Sequence, residues 1–441
     1  MLRNYIHLLT RDQSSVTEKE LKSARVKIKE ELNEYTDIPI KIAVIGQSGS
    51  GKSAFINATR NIMDWTSEDA AKVGVVKTTN EITAYPHLRY AARSIIDWTS
   101  KDAAKVGVVK TTNEITAFPH PIKTITAYPH PRYTNLVYYD LPGVNTPRFP
   151  RKLYLNFINL YEYDFFVLVS SDEFTDDDGW LAKELEDRRK PFYFVRTKID
   201  SDIRNNLMMK KSQSETLNDI RNDCKQDLLQ ILSTRIYPTS RIPGIPIFLV
   251  NNENPMAFDF PEFQSKMTQD APKEKRKALI SSIASFSPIM IGLKRKNMKG
   301  RIRRLSILRA ITFLPVQSHE HAPFIEQTLD DFKTQLGIDT KSTQAMKELC
   351  GVVLEELQTD SCVTSELLAR CEEDVKTFMA KRTFANIIEL FPLLGTSVGC
   401  IAEVFVWHKF FNELLNLCVQ EAGLLHKAVA DALSDRENHP L

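Results

Sequence analysis

The sequence carries almost no net charge: 58 Lys and Arg stand against 56 Asp and Glu, leaving +2 over 441 residues. That balance excludes the strongly basic class of general nucleic-acid binders, so no nucleic-acid partner is expected. The six cysteines (Cys224, Cys350, Cys362, Cys371, Cys400, Cys418) include no CxxC pair. Neither zinc-ligand spacing nor a disulfide framework is left, and buried reduced thiols are expected. Long uninterrupted apolar runs are also missing. The most apolar stretch, residues 384–407, is broken by Glu389, Pro392 and Glu403, which argues against a spanning helix. The opening Met1-Leu2-Arg3-Asn4 lacks an apolar secretion segment and a glycine at position 2, and His439-Pro440-Leu441 lacks a prenylation cysteine. The expectation is a cytoplasmic protein whose membrane contact is peripheral.

What is present suffices for a large core. Hydrophobic residues make up 42% and charged residues 26%, and the length suits two units of roughly 200 residues each. Thr17 followed by Glu20 forms a capping box for a helix with Leu21, Ala24, Ile28 and Leu32 on one face. Short apolar runs follow at 38–45, 135–139, 165–169, 192–195 and 247–250, separated by helical segments. Strands alternating with helices predict an α/β unit with a mostly parallel sheet. After about Pro255 strand signals stop, and amphipathic stretches at 324–336, 345–357 and 404–428 predict an all-α unit.

One feature is unusual. Residues 64–87 recur at 97–120 with two differences, Glu68/Lys101 and Tyr85/Phe118, and 125–130 repeat the ending ITAYPH once more. Two and a fraction copies cannot stack into a solenoid. Tandem duplication and a gene-model error both remain open as its origin.

Residues 46–53 read GQSGSGKS, after a strand run and before a helical one. In such a P-loop, Gly46, Gly49, Ser50 and Gly51 turn backbone N–H groups toward phosphate oxygens and the helix adds its positive end. Lys52 reaches the β- and γ-phosphates as the expected catalytic residue, and the Ser53 hydroxyl binds Mg2+. Asp140-Leu141-Pro142-Gly143 follows the next strand run. Its carboxylate suits the magnesium shell and the Gly143 N–H suits the γ-phosphate. Thr197-Lys198-Ile199-Asp200 follows a third run; a carboxylate there accepts from guanine N1–H and the exocyclic amine, which adenine cannot offer, while the lysine stem lies along the base. Asn251, after the last run, completes the nucleotide-contacting set. A magnesium-capping threonine is also needed, and the repeat offers two, Thr79 and Thr112. The expected domains are 1–36, a helical segment; 37–255, a P-loop GTPase domain holding the duplication; and 256–441, a helical domain, with which the first segment packs as the family resemblance described next implies.

These motifs resemble the immunity-related GTPases, the interferon-inducible family of dynamin-like GTPases in vertebrates. The resemblance rests on GQSGSGKSAFIN (46–57), AAKVGVVKTT (70–79 and its copy), YPHP with NLVYYDLPG (128–143), YDFF (163–166), FYFVRTKIDSD (192–202), FDFPEF (258–263) and LGID (336–339). Lys52 places the chain beside GKS-type members, here with a duplicated switch I segment. The resemblance implies GTP and GDP as ligands, Mg2+, hydrolysis of GTP, and GTP-dependent homo-oligomers. It also implies assembly on pathogen-containing vacuoles or other endomembranes in cell-autonomous innate immunity. The family-like distance from the P-loop is kept by Thr79, whereas Thr112 lies closer to DLPG.

Small signalling GTPases orient the attacking water with a glutamine just after DxxG; here that position is Val144. A lone monomer is therefore expected to hydrolyse slowly, with the missing group supplied by a neighbour. A nucleotide-controlled scaffold with little turnover is the rival reading, and a P-loop ATPase a further one, opposed by Asp200. Two basic clusters, 273–277 and 294–304, read either as solvated helix faces or as contacts with anionic lipid.

Overall fold

Near-continuous apolar runs pair best with both faces covered, and that is where the structure puts them. The computed structural model describes residues 17–33, 38–62, 68–73, 125–131, 133–146, 149–233, 245–285, 287–312, 321–350 and 396–438. Helix α1 (Glu18–Asn33) precedes strand β1 (Ile40–Ile45) and helix α2 (Lys52–Thr59). Then come β2 (Thr126–Pro129), β3 (Leu136–Asp140), α3 (Arg151–Phe157), β4 (Phe165–Ser170) and α4 (Asp176–Asp187). The α/β part closes with β5 (Phe192–Arg196), α5 (Ile199–Met208), α6 (Gln213–Ser233) and β6 (Ile247–Leu249).

The six strands lie in the order β2-β3-β1-β4-β5-β6, parallel throughout except for β2 against β3. Every residue of β4 and β5 is buried. The chain leaves β1 for β3 on one side and returns to β4 on the other, so the carboxyl end of β1 is a topological switch point, where such sheets open a crevice.

The sequence reading did not find β2. It is four residues long, half-buried, at the edge, and ends in Pro129, all properties of a strand with little apolar signal. It is built from the third fragment of the repeat. The other end of that region is fastened too: the Asn57 side chain donates to the Ala71 carbonyl (2.8 Å) and accepts from the Ala71 N–H (2.6 Å). Arg60 donates to the carbonyls of Asp69 (2.7 Å) and Pro129 (3.1 Å), so one buried guanidinium ties both ends together.

Helices α7 (Phe260–Asp270) and α8 (Lys273–Ser282) lead into α9 (Pro288–Thr312), α10 (His321–Leu336), α11 (Thr340–Cys350) and α12 (Thr396–Asn438). Phe260, Phe263, Met267, Leu279 and Met290 join the core beneath the sheet. The Thr17–Glu20 capping box forms as expected (2.9 and 3.4 Å). Ala24, Ile28 and Leu32 of α1 pack with Met298, Ile302 and Phe411 of α9 and α12, and Arg304 pairs with Glu31 at 3.0 Å. Residues 351–357 and 384–395, parts of two stretches singled out in the sequence, lie outside the described residues. Among the described residues no helix is long and apolar enough to cross a membrane.

Much of the basic charge at 273–277 and 294–304 is used internally. Lys275 pairs with Asp164 (2.7 Å) and Arg276 donates to two carbonyls. Buried Lys294 donates to the Gln335 carbonyl (2.6 Å), while Arg295 bonds Asn416 and Arg301 bonds Asp331. Ties between the two parts include Tyr133, in the turn after β2, whose hydroxyl donates to the Thr334 carbonyl of α10 at 3.4 Å. Cys224 and Cys418 are buried free thiols, pushed by burial up to about 11 and about 12.

Two expectations follow. Deleting residues 83–125 joins Ile82 to Thr126, regenerates one ITAYPH and keeps both fastened ends; the shortened chain should melt with the full-length one in calorimetry. His426 is buried with neither ring nitrogen hydrogen-bonded among the described residues, and burial, reinforced by Lys294, lowers its pKa from 6.5 to about 4. The folded state thus resists a proton that the unfolded state accepts. This contribution is complete above pH 6.5 and is lost as pH falls toward 4, on the order of 2 kcal/mol by pH 5. In denaturant titrations His426→Leu should flatten that acid dependence.

Candidate nucleotide site

The loop after β1 runs so close to β4 that its first residue has no room for a side chain. Gly46 has φ +142, and a Cβ there would stand 2.1 Å from the Val169 carbonyl oxygen. The loop then passes exposed Gly49 and buried Ser50, whose hydroxyl has no hydrogen-bond partner among the described residues, and reaches Gly51. Gly51 caps α2 in the left-handed region, with no side chain satisfying the first-turn N–H groups. Such a helix start carries roughly half a positive charge and open donors, which suits a phosphate. The ammonium of buried Lys52 donates to the Gln47 (2.5 Å) and Gly46 (3.3 Å) carbonyls, inside the same loop.

Asp140 ends β3 directly beside the start of α2, and the Ser53 hydroxyl donates to its Oδ2 at 2.7 Å. Its other oxygen is buried with no partner among the described residues. A hydroxyl and a carboxylate in contact, with one orphaned anionic oxygen, form a hard-oxygen donor set that fits Mg2+. Three residues on, Gly143 meets the P-loop from the other side: a Cβ there would be 2.7 Å from the Ser48 nitrogen. The DLPG loop is tied back by the buried Tyr154 hydroxyl, which donates to the Pro142 carbonyl at 2.9 Å. Val144 is 3% exposed and belongs to the apolar cluster with Leu141, Phe149 and Ile158. Its side chain is core.

The Thr197–Asp200 motif is anchored to the same loop. Thr197 is fully buried; its hydroxyl donates to the Ser50 carbonyl (2.8 Å) and lies 3.2 Å from that of Ser170. Its side chain therefore holds β5 to the P-loop. Lys198 then takes the left-handed conformation (φ +59) and caps α5, with its ammonium 3.6 Å from Asp172. Asp200 sits in the first turn, its Oδ2 accepting from Arg204 at 2.8 Å. Buried Arg196 reaches over the motif to Asp202 at 2.9 Å, fixing the start of α5; burial still raises the Asp202 carboxyl above its usual range. Asn251 turns inward, its side chain accepting from the Glu253 N–H at 2.9 Å, while neighbouring Asn252 donates to the Gly51 carbonyl at 3.3 Å.

The structure thus gathers Gly46–Ser53, Asp140, Gly143, Thr197 and the loop from Asn251 around one rim, from which Lys198 and Asp200 continue. Thr79 and Thr112 lie outside the described residues. Sequence reasoning passed over Gln47, Asn57, Tyr154, Thr175, Asp177 and Asn252. Gln47 and Asn57 lay within the P-loop resemblance, and Thr175 opens a capping box with Asp178 three residues on, a local signal that could have found it; Tyr154 and Asp177 carried no pattern, because their partners are distant in sequence.

The sequence pattern of the Interferon-inducible GTPase (IIGP) family matches residues 7–99 and 89–429, two stretches that overlap between the repeated copies. Interferon-inducible GTPase 1 of Mus musculus is 31% identical over 329 residues, 72% of this chain and 66% of that protein. Interferon-gamma-inducible GTPase 10 of the same species is 29% identical over 427 residues, covering 94% and 87%. Immunity-related GTPase family M protein 1, also of Mus musculus, is 24% identical over 408 residues, covering 92% and 83%. A solved structure titled as an oligomerised bacterial dynamin pair aligns at 16% identity with a TM-score of 0.36, covering 99% of this chain and 77% of that one.

Asp200→Asn tests the base side. An amide cannot accept from both guanine donors, so GTP affinity should fall by about 100-fold, with two charge-assisted bonds affected. Xanthosine triphosphate, which offers a carbonyl where guanine has its amine, should bind this variant better than GTP in competition against labelled nucleotide.

Proposed function

The chain belongs to the interferon-inducible GTPase family, and from that membership we propose that it hydrolyses GTP to GDP and phosphate at the carboxyl end of β1, with catalysis completed between two copies of the chain. The observation that carries the reading is the contact of Ser53 with Asp140, which leaves one buried carboxylate oxygen unpartnered beside an uncapped helix start. On this reading the first turn of α2 and Lys52 hold the phosphates, and Ser53 and Asp140 hold Mg2+, which supplies charge neutralisation on the phosphate oxygens. Asp200 and Lys198 select guanine, Gly143 meets the γ-phosphate, and Asn251 lies on the loop beside the base. Thr79 or Thr112 closes the magnesium side.

Val144 supports the two-copy part. A buried valine orients no water, so the monomer lacks the group that small signalling GTPases carry there. The neighbouring copy supplies it across the nucleotide face, and assembly and turnover are thereby coupled. We further infer a cytoplasmic protein that assembles peripherally on endomembranes or pathogen-containing vacuoles in innate immunity. Family membership supports this, rather than the basic residues of α8 and α9. The domain division follows as 1–36 with 256–441 against 37–255, with α7 and α8 forming the seam.

GTP turnover per molecule should rise with protein concentration and vanish in Lys52→Ala, measured by phosphate release. A specific activity flat across concentration refutes the two-copy step. Lys52-dependent GTP binding without turnover at any concentration would instead indicate a nucleotide-controlled scaffold.

A further inference from the structure

Arg151 opens α3, eight residues after Gly143 and three before buried Tyr154. Its Nε and Nη2 lie 2.6 and 2.5 Å from one oxygen of Asp177, a carboxylate only 10% exposed at the start of α4. The other Asp177 oxygen accepts from the Gln47 side-chain amide at 3.3 Å, and the same amide donates to the Thr175 hydroxyl at 2.7 Å. Gln47 is the second residue of the P-loop, and its carbonyl accepts from Lys52. The Thr175 end is itself fixed: its hydroxyl donates to buried Asp178, which also accepts from Ser170 at the end of β4.

A hydrogen-bonded path therefore runs from Lys52 through Gln47 and Asp177 to Arg151. One turn further along α3, the Tyr154 hydroxyl holds the Pro142 carbonyl of the DLPG loop. An isolated ion pair at the surface would add little. This one brings Nε and Nη2 to a single carboxylate oxygen, is mostly desolvated on the carboxylate side, and joins three segments that converge on the γ-phosphate side of the loop.

We propose that Arg151 is a positioning residue that, through Asp177 and Gln47, holds the DLPG loop against the P-loop so that Gly143 meets the γ-phosphate. The inference rests on the reading that Gly143 contacts that phosphate. GDP has no γ-phosphate, so the latch acts on GTP recognition and leaves GDP recognition alone. A merely structural ion pair would weaken both nucleotides together.

The test is the affinity of fluorescent GDP and of a fluorescent non-hydrolysable GTP analogue for the full-length chain and its variants. Arg151→Ala should lose about 10-fold for the triphosphate analogue and stay within about twofold for GDP. Arg151→Lys, which keeps the charge without the fork, should recover part of the loss. Asp177→Asn should reproduce the Arg151→Ala pattern, and provides the reading if Arg151→Ala does not fold. Equal losses for both nucleotides, or none for either, overturn the proposal. Tyr154→Phe, which releases the Pro142 carbonyl of the DLPG loop without crowding Ser48, tests the underlying reading separately: if it too leaves the ratio of the two affinities unchanged, the γ-phosphate contact of Gly143 fails. If it lowers the ratio while Arg151→Ala does not, the latch alone fails.

Discussion

The Val169 carbonyl oxygen occupies the space where a side chain on Gly46 would begin, 2.1 Å from an ideal Cβ. Real Cβ atoms do not approach a carbonyl that closely, so the first residue of the P-loop has to be glycine, and the loop must lie flat on the end of β4. Much of the site inherits its position from that contact. With the loop pinned to the sheet, its later residues meet the ends of two other segments: Ser48 faces Gly143 and Ser53 faces Asp140 after β3, and the Ser50 carbonyl receives the Thr197 hydroxyl after β5. Each partner stands at or just after the carboxyl end of a strand, so the register of the parallel sheet sets the spacing of the site.

The polar groups around the loop divide into an inner and an outer set. Facing inward are open first-turn amides, an ammonium, and a carboxylate oxygen with no partner among the described residues, which is the inventory a polyphosphate with a divalent cation needs. Facing outward are side chains engaged with neighbouring segments: Gln47 on Thr175 and Asp177, Asn252 on Gly51, Arg196 on Asp202. The outer set holds the backbone still while the inner groups keep their hydrogen-bonding capacity. Preorganisation of this kind lets charge stabilisation act without rearrangement during the reaction.

Motifs that stand directly after a strand were legible in the sequence. Gly46 to Ser53, Asp140 to Gly143 and Thr197 to Asp200 each follow an apolar run, because the physics that ends a parallel strand also places the loop. The capping box at Thr17 and Glu20 was legible for the same local reason. What failed was non-local. Strand β2 has too few apolar residues to show itself, and its hydrogen bonds depend on β3. The basic residues of α9 looked alike in sequence, yet Lys294 is buried against the Gln335 carbonyl whereas Lys296 is exposed. Thr197 follows β5, as its motif was read to do, but its hydroxyl serves the P-loop carbonyl, a contact only packing reveals.

Helix α12 spans 43 residues, about 65 Å at the usual rise. A rod of that length is a lever. It packs along α9, whose Lys294 also touches the α10 terminus at which Tyr133 of the β2–β3 turn is hydrogen-bonded. The seam meets the rod near its middle, at Asn416, 20 residues from the Thr396 end. A tilt of about 10° there carries that end roughly 5 Å, about half the width of the helix, and moves the other end the opposite way.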